Sequence, residues 1–256
     1  MKTTLYTNNI KFKLIVIIIT IMFASCEKVN YLVSDVQGNN IKISDSLITD
    51  NQLEYLIAPY RNELKRLEKV IGYSNQSLSV RDGELESTLG NLIADILMEE
   101  CNPVFKNMSG KNIDFCLLNY GGIRGTMNRG NITQYDLFTI MPFKNFATVV
   151  KLDGNKILEL LKYLSKENIA HPVSGINIEF NDEKITTIIG GKKFDINKSY
   201  YVLTSNYLQE GGDKMNFFKD PLELNELNLN IRDILITNIK KRKSLSSMLD
   251  NRIIRN

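Results

Sequence analysis

Apolar residues recur along the chain in short runs that alternate between helical and strand periods. Leu53, Leu56, Ile57, Leu64, Leu67 and Val70 fall at helical spacing behind Asp50, a capping residue, and predict a helix over about 51–70. Pro59 lies inside it and predicts a kink or a split. A second helix starts near Ser87, with Leu89, Leu92, Ile93, Ile96 and Leu97 on one face and Pro103 marking its end. Residues 113–118 and 146–152 read as apolar strands. Asp153 and Gly154 then lead into a helix with Ile157, Leu158, Leu160, Leu161 and Leu164 on its buried face. Ile176, Ile178 and Phe180 alternate as a half-buried strand. Residues 185–189 and 200–204 are further strands, separated by a turn at Gly190-Gly191, and 224–247 reads as a final helix. There is no internal repeat, and no Pro/Gly/Ser-rich linker within 50–256. The pattern predicts one α+β (mixed α/β) domain over 51–256, with helices packed on mixed β-sheets and ample room for a core.

The N-terminus follows a different pattern. Lys2, Lys11 and Lys13 precede an apolar run from Leu14 to Phe23 that only Thr20 interrupts. That is about half the ~20 residues a membrane-spanning helix needs, and it reads as a signal peptide over 1–25. The run closes on Phe23-Ala24-Ser25-Cys26, which resembles the lipobox of bacterial lipoproteins, where cleavage leaves a lipidated Cys26. An ordinary secretory signal that happens to contain a cysteine is the alternative. The expected product is exported and held by acyl chains on a bacterial membrane, at the periplasmic face or the cell surface. Residues 26–50, rich in Asn and Ser, read as a tether with room for one short strand.

Removal of the signal changes the charge balance. The full chain of 256 residues has 32 basic and 29 acidic side chains. Residues 1–25 hold three lysines and no acid, which leaves 29 of each sign. A near-neutral domain is not expected to bind a nucleic acid polymer, which calls for a strong positive excess. Beyond Cys26 there are two cysteines, Cys101 and Cys116. In an oxidising compartment they can form a disulfide; Cys116, within an apolar run, can equally be a buried free thiol.

Four segments carry a resemblance to a known family. They are Glu86-Ser87-Thr88-Leu89-Gly90-Asn91-Leu92-Ile93-Ala94-Asp95; Leu118-Asn119-Tyr120-Gly121-Gly122-Ile123-Arg124; Ile132-Thr133, Leu137 and Met141-Pro142-Phe143-Lys144-Asn145; and Ser205-Asn206-Tyr207-Leu208-Gln209-Glu210-Gly211-Gly212-Asp213. Each is weak alone. In this order and spacing they resemble the C-terminal, substrate-recognition domain of the 5′-nucleotidases, over essentially the whole mature domain.

The residues make chemical sense on their own. Asn119 follows a strand, where polar groups leave a sheet at its rim. Gly121 and Gly122 permit close backbone approach, and Arg124 offers a planar five-donor fork for phosphate or ribose oxygens. A tight turn with a solvated arginine is the plainer alternative. Phe143 and Tyr207, taken singly, suit a core equally well, and Gly211-Gly212-Asp213 suits a surface turn.

The resemblance implies more specific roles. Phe143 and Tyr207 would sandwich the nucleobase, Asp213 would accept from ribose hydroxyls, and Asn119 and Arg124 would line the same site beside Gly121, Gly122 and Gly212. Arg81 is the nearest candidate for a further family arginine ahead of the first motif. Lys144 stands where the family usually has glycine, and Lys214 where glycine is common; a narrowed site and an added phosphate contact are both open to them, and the sequence decides neither.

Complete 5′-nucleotidases also carry a dimetal phosphoesterase domain, which needs a cluster of Asp, His and Asn ligands. This chain has one histidine, His171, beside Pro172 and expected at the surface. It has no Ser-His-Asp arrangement with a G-x-S-x-G flank, no P-loop and no G-x-G-x-x-G. No catalytic residue, metal site or cofactor is therefore expected in this chain, and divalent metals are expected only in a partner. The expectation is a nucleotide- or nucleoside-recognition domain of a split 5′-nucleotidase that works with a separate metallophosphatase chain. The alternative is a stand-alone nucleoside-binding surface lipoprotein without hydrolase activity.

Overall fold

The computed structural model describes residues 12–13, 33, 35–44, 46–181 and 184–256. The signal peptide and Cys26 lie outside the described residues, apart from Phe12 and Lys13. The chain divides into two units, Met1–Asp50 and Asn51–Asn256. The described part of 33–50 contains no strand. No helix among the described residues is long and apolar enough to cross a membrane.

The first helix of the larger unit, α1 (Asn51–Leu67), has Glu54 in its first turn and Lys65 and Arg66 in its last, as the helix dipole favours. Pro59 does not end it: no residue of the helix is buried, so water can reach the carbonyl that the missing N–H leaves free. Strand β1 (Val70–Ser74) follows.

Helix α2 (Thr88–Ser109) starts where expected, with the Ser87 side chain accepting from the Gly90 N–H. It corrects the expected stop at Pro103. The proline is exposed, while Cys101 and Phe105 on either side of it are fully buried, so packing carries the helix past it. The helix ends instead at Gly110, in the left-handed conformation with φ 71°, whose N–H returns to the Lys106 carbonyl.

Then come β2 (Phe115–Leu117), β3 (Gly130–Thr133), α3 (Gln134–Ile140), β4 (Phe146–Asp153) and α4 (Gly154–Lys166). They are followed by β5 (Val173–Ser174), β6 (Ile176–Asn181), β7 (Lys184–Ile189), β8 (Lys192–Lys193), β9 (Ser199–Ser205) and the short helix α5 (Asn206–Gln209).

The expected final helix over 224–247 is a second correction. The segment forms strand β10 (Glu223–Asn230), helix α6 (Ile231–Arg242) and strand β11 (Ser244–Leu245), with β12 (Ile253–Arg255) closing the chain. Strand β10 pairs antiparallel with β4, Leu224 opposite Val150, and its register shifts between Glu226 and Asn230. Asn228 sits there at φ 55°. Two extra residues on β10 between these pairs put Leu224 and Leu227 at a spacing of three rather than two, which reads as helical in sequence.

The strands form three sheets, ordered β11-β1-β3, β10-β4-β9-β2-β5 and β12-β6-β7-β8. The central strands of the five-stranded sheet, β4, β9 and β2, are buried on both faces. Cys116 of β2, Ala147 and Val149 of β4 and Leu203 of β9 enter one core cluster with α2 and α6. Their neighbours Phe115, Leu117, Val150, Leu152 and Val202 enter the other, with α4 and β6. Alternation along each strand thus supplies two cores at once.

This topology creates a rim. Strands β2 and β9 run parallel, so both end on the same edge, and β4 runs antiparallel to β9 and begins there. The chain leaving β2 carries Asn119 to Arg124, the chain leaving β9 carries Tyr207 to Asp213, and the chain entering β4 carries Phe143. Three of the four motif segments therefore meet where strand ends offer unpaired polar groups.

Candidate functional site

Between these three loops lies a cleft of about 290 Å³ lined by Asn119, Gly121, Gly122, Arg124, Phe143, Asn145, Tyr207 and Asp213. Larger hollows, of about 390 and 470 Å³, lie beside Arg255 and Arg252. The guanidinium groups there already bond to protein acceptors, Arg255 to Asn168, Ser165 and Glu167, and Arg252 to Asp95, Asp250 and Val173. Volume alone does not mark the site; convergence of polar and aromatic groups does.

The centre of the cleft is Asp213. Its Oδ2 accepts from Asn119 Nδ2 at 2.6 Å and its Oδ1 from the Tyr207 hydroxyl at 2.8 Å. Its own N–H donates back to that hydroxyl at 3.3 Å, and its carbonyl accepts from Tyr163 Oη at 3.1 Å. The bond to Asp213 raises the Tyr207 phenol above its ordinary pKa, since only the neutral phenol has a proton to donate to the carboxylate. Each carboxylate oxygen keeps lone-pair capacity for a further donor.

The loop that carries Asp213 is strained to reach this position. Gly211 has φ 88°, Asp213 φ 51° and Lys214 φ 62°. A side chain at Gly212 would put its Cβ 2.4 Å from the Tyr207 ring, so only glycine lets the ring lie flat against the turn. Gly212 thus supports the cleft from behind Tyr207 without lining it.

Phe143 and Tyr207 are 46% and 43% exposed. The core alternative fails for both, since a packing residue of that size would be covered. The Arg124 guanidinium lies over the Phe143 ring, 5.4 Å from its centroid. The Arg124 N–H donates to the Ile140 carbonyl at 2.8 Å, which ties the two loops together. Asn145, which no sequence argument singles out, also lines the cleft. Its place in the Pro142-Phe143-Lys144-Asn145 segment was the available signal.

Lys144 and Lys214 do not line the cleft. The Lys144 ammonium lies 6.0 Å from the Phe146 ring centroid. The positive φ at position 214 is a physical reason for glycine being common there. Arg81 is beside the cleft rather than in it: it lines an adjoining hollow of about 270 Å³ that shares Gly121 and Arg124, and its Nε donates to Tyr120 Oη at 3.4 Å.

His171 is a third correction. It is 3% exposed rather than at the surface. Its Nδ1 accepts the Tyr120 N–H at 3.2 Å, its ring lies 5.9 Å from that of Tyr163, and its Nε2 is buried without a partner. Burial lowers its pKa to about 4, with the charge of Asp213 opposing in part. The sequence hid this because the contacts that cover the ring come from residues remote in the chain.

The first motif segment serves a structural end. Glu86 is buried and accepts the N–H groups of Asp250, Asn251 and Arg252 at 3.3, 2.8 and 3.4 Å and the Asn91 amide at 3.0 Å. Asp95 pairs with Arg252 at 2.9 Å. This motif fastens the C-terminal segment and does not reach the cleft.

Among the described residues, no three His, Cys, Asp or Glu side chains gather so as to hold a metal ion.

Comparison with known proteins identifies the family and the fold. The sequence profile of the family described as 5′-nucleotidase, C-terminal domain, matches residues 70–220. A 5′-nucleotidase of Vibrio parahaemolyticus is 25% identical over 194 residues, which is 70% of this chain and 32% of that protein. The human 5′-nucleotidase is 25% identical over 246 residues, 84% of this chain and 42% of that protein. The chain thus spans between about a third and two-fifths of these relatives. Among solved structures, a 5′-nucleotidase precursor from Thermus thermophilus superposes with a TM-score of 0.66 at 22% identity, covering 79% of this chain and 42% of that one. The Haemophilus influenzae NAD nucleotidase gives 0.61 at 22% identity, covering 81% and 41%. At that identity these two likenesses speak for the fold.

Proposed function

This chain belongs to the 5′-nucleotidase C-terminal-domain family, and from that membership we propose that its cleft binds a nucleoside or nucleotide and presents it to a metallophosphatase carried on a separate chain. The observation that carries the reading is two half-exposed aromatic rings, Phe143 and Tyr207, lining one cleft with a tethered carboxylate, Asp213. The rings offer flat faces to a base, and base–aromatic stacking contributes about 1–3 kcal/mol per base whatever the base. The remaining lone pairs of Asp213 suit ribose hydroxyls. Arg124 supplies a cation at the cleft wall for ribose or phosphate oxygens.

Hydrolysis would fall to the partner, with its divalent metals. The support is chemical. A dimetal site needs several imidazole and carboxylate ligands, whereas this chain has one histidine, whose Nδ1 is occupied by the Tyr120 N–H. We further propose an exported protein, lipidated at Cys26, with 26–50 as its tether and nucleotide catabolism as its setting. Loss of palmitate labelling in Cys26→Ala would be the expected sign of that anchor.

Calorimetric titration with adenosine and AMP tests the central claim. Wild type should bind, and Phe143→Ala and Tyr207→Ala should each weaken binding by roughly 5- to 150-fold, the equivalent of one stacking face. Absence of binding by the wild type would sink the reading. Mixing with an exported metallophosphatase of the same organism should yield a complex and a gain in nucleotidase activity. Binding without either outcome would instead favour a stand-alone nucleoside-binding lipoprotein.

A further inference from the structure

We propose that Arg232 is a positioning residue for the cleft: its guanidinium fastens the loop 141–145 so that the Phe143 ring is held where a base can stack on it. The inference rests on the proposed role of Phe143 as a base platform.

The loop is held at both ends by the start of α6. Arg232 Nη1 donates to the Met141 carbonyl at 3.0 Å and to the Pro142 carbonyl at 3.3 Å. The neighbouring Ile231 N–H donates to the Asn145 carbonyl at 3.0 Å. Phe143 lies between these two fastened points. Beyond the loop, the Phe146 N–H donates to Asn206 Oδ1 at 2.9 Å, which joins the start of β4 to the start of α5.

The guanidinium is itself fixed. It stacks on the Phe138 ring of α3, 3.8 Å from the centroid, and its Nε is buried without a partner. A planar cation on a ring face can turn little without losing that contact, so the direction of its Nη1 donor is set by α3. One arginine thus joins three elements: α6, which carries it, α3, which orients it, and the loop it holds.

The position is unfavourable for a cation in another respect. Arg232 is the second residue of α6, where the helix dipole disfavours positive charge. Leading the charge away onto two carbonyls and a ring answers that cost. A lysine would place a point charge there but could not stack flat and reach two successive carbonyls at once. Arg124 packs over the Phe143 ring itself, 5.4 Å from its centroid, so a second arginine bears on the platform from the cleft wall.

The test is a double-mutant cycle read by calorimetry with adenosine, on variants whose circular dichroism and Tm report folding. Arg232→Gln should weaken adenosine binding by about tenfold, a part of one stacking contribution. Arg232→Lys, which keeps the charge and is the milder variant should Arg232→Gln fail to fold, should also weaken it. In a Phe143→Ala background the Arg232 change should add no loss, whereas in a Tyr207→Ala background it should add its full loss. Unchanged affinity in both Arg232 variants, or the same loss with Phe143 already removed, would overturn the proposal. A 4-fluorophenylalanine at position 143 separates this proposal from the functional reading on which it rests. If wild type binds no adenosine, the functional reading fails, and the 19F spectrum alone decides the positioning. A shifted or broadened line in the Arg232 variants supports the fastening, and identical spectra refute it.

Discussion

Tyr207 donates its hydroxyl to the Asp213 carboxylate at 2.8 Å across Gly212, whose missing side chain leaves room for the ring. An aromatic face and a carboxylate are thereby fixed relative to each other by six residues of chain. Separating the two features is straightforward. Tyr207→Phe keeps the ring and removes the hydroxyl, so adenosine binding should weaken by no more than the roughly 10- to 150-fold that one hydrogen bond to a charged partner is worth. Gly212→Ala keeps the hydroxyl but drives a Cβ into the ring, so it should weaken binding more than Tyr207→Phe does. Titration of both variants with adenosine checks the order; the reverse order would mean that the ring is not the binding surface.

The Glu86 carboxylate gathers three backbone N–H groups of the C-terminal segment, far from the cleft in function. Glu86→Ala leaves buried backbone donors without an acceptor and removes a counter-charge 4.0 Å from the Arg252 guanidinium, and should destabilise the protein by about 3–5 kcal/mol. For a domain of this size that lowers Tm by roughly 6–20 °C. Adenosine affinity measured well below the new Tm should be unchanged. Loss of affinity without loss of stability would contradict a purely structural role for this motif.

How legible this was depended on the range of the forces involved. The stripe at Leu89, Leu92, Ile93, Ile96 and Leu97 and the alternation at Ile176, Ile178 and Phe180 are local periodicities, and both became the elements expected. The stop at Pro103 failed because Phe105, packed into a core built by distant strands, outweighs a local helix breaker. Strand β10 departs from the expected helix because two inserted residues around Asn228 turn a strand period into a helical one. At the cleft, the motif residues were visible as residue types, and the rim that joins them follows from strand directions. Arg232 left no mark at all: its partners lie some ninety residues away, and nothing in its local sequence distinguishes it from a solvated helix-end arginine.

Cys101 and Cys116 are free and fully buried. Burial raises both thiols, Cys101 to about 12 and Cys116 well above its ordinary value. Thiolate is the reactive form, so the folded protein at pH 8 should not react with a thiol-specific chromogenic reagent at either position, and urea-unfolded protein should react at both. Rapid labelling of the native state would show that one of them reaches solvent.

The buried His171 should leave a signature in the pH dependence of stability. Its pKa is lowered by burial to about 4, against 6.5 in the unfolded chain. As pH falls below 6.5 the unfolded state takes up a proton that the folded state refuses, so stability drops; below about 4 both states are protonated and this contribution levels off. Two to three pKa units correspond to about 3 kcal/mol lost across that window. No such loss arises above pH 6.5, where the imidazole is neutral in both states. His171→Gln, which has no proton to take up, should have lower stability at pH 7 because the Tyr120 N–H loses its ring acceptor, but a flatter profile between pH 6.5 and 4. Urea unfolding across that range, wild type against variant, reads the difference directly. Parallel profiles would mean that His171 is protonated alike in both states, and therefore that it is not shut away from water beneath the Tyr120 turn.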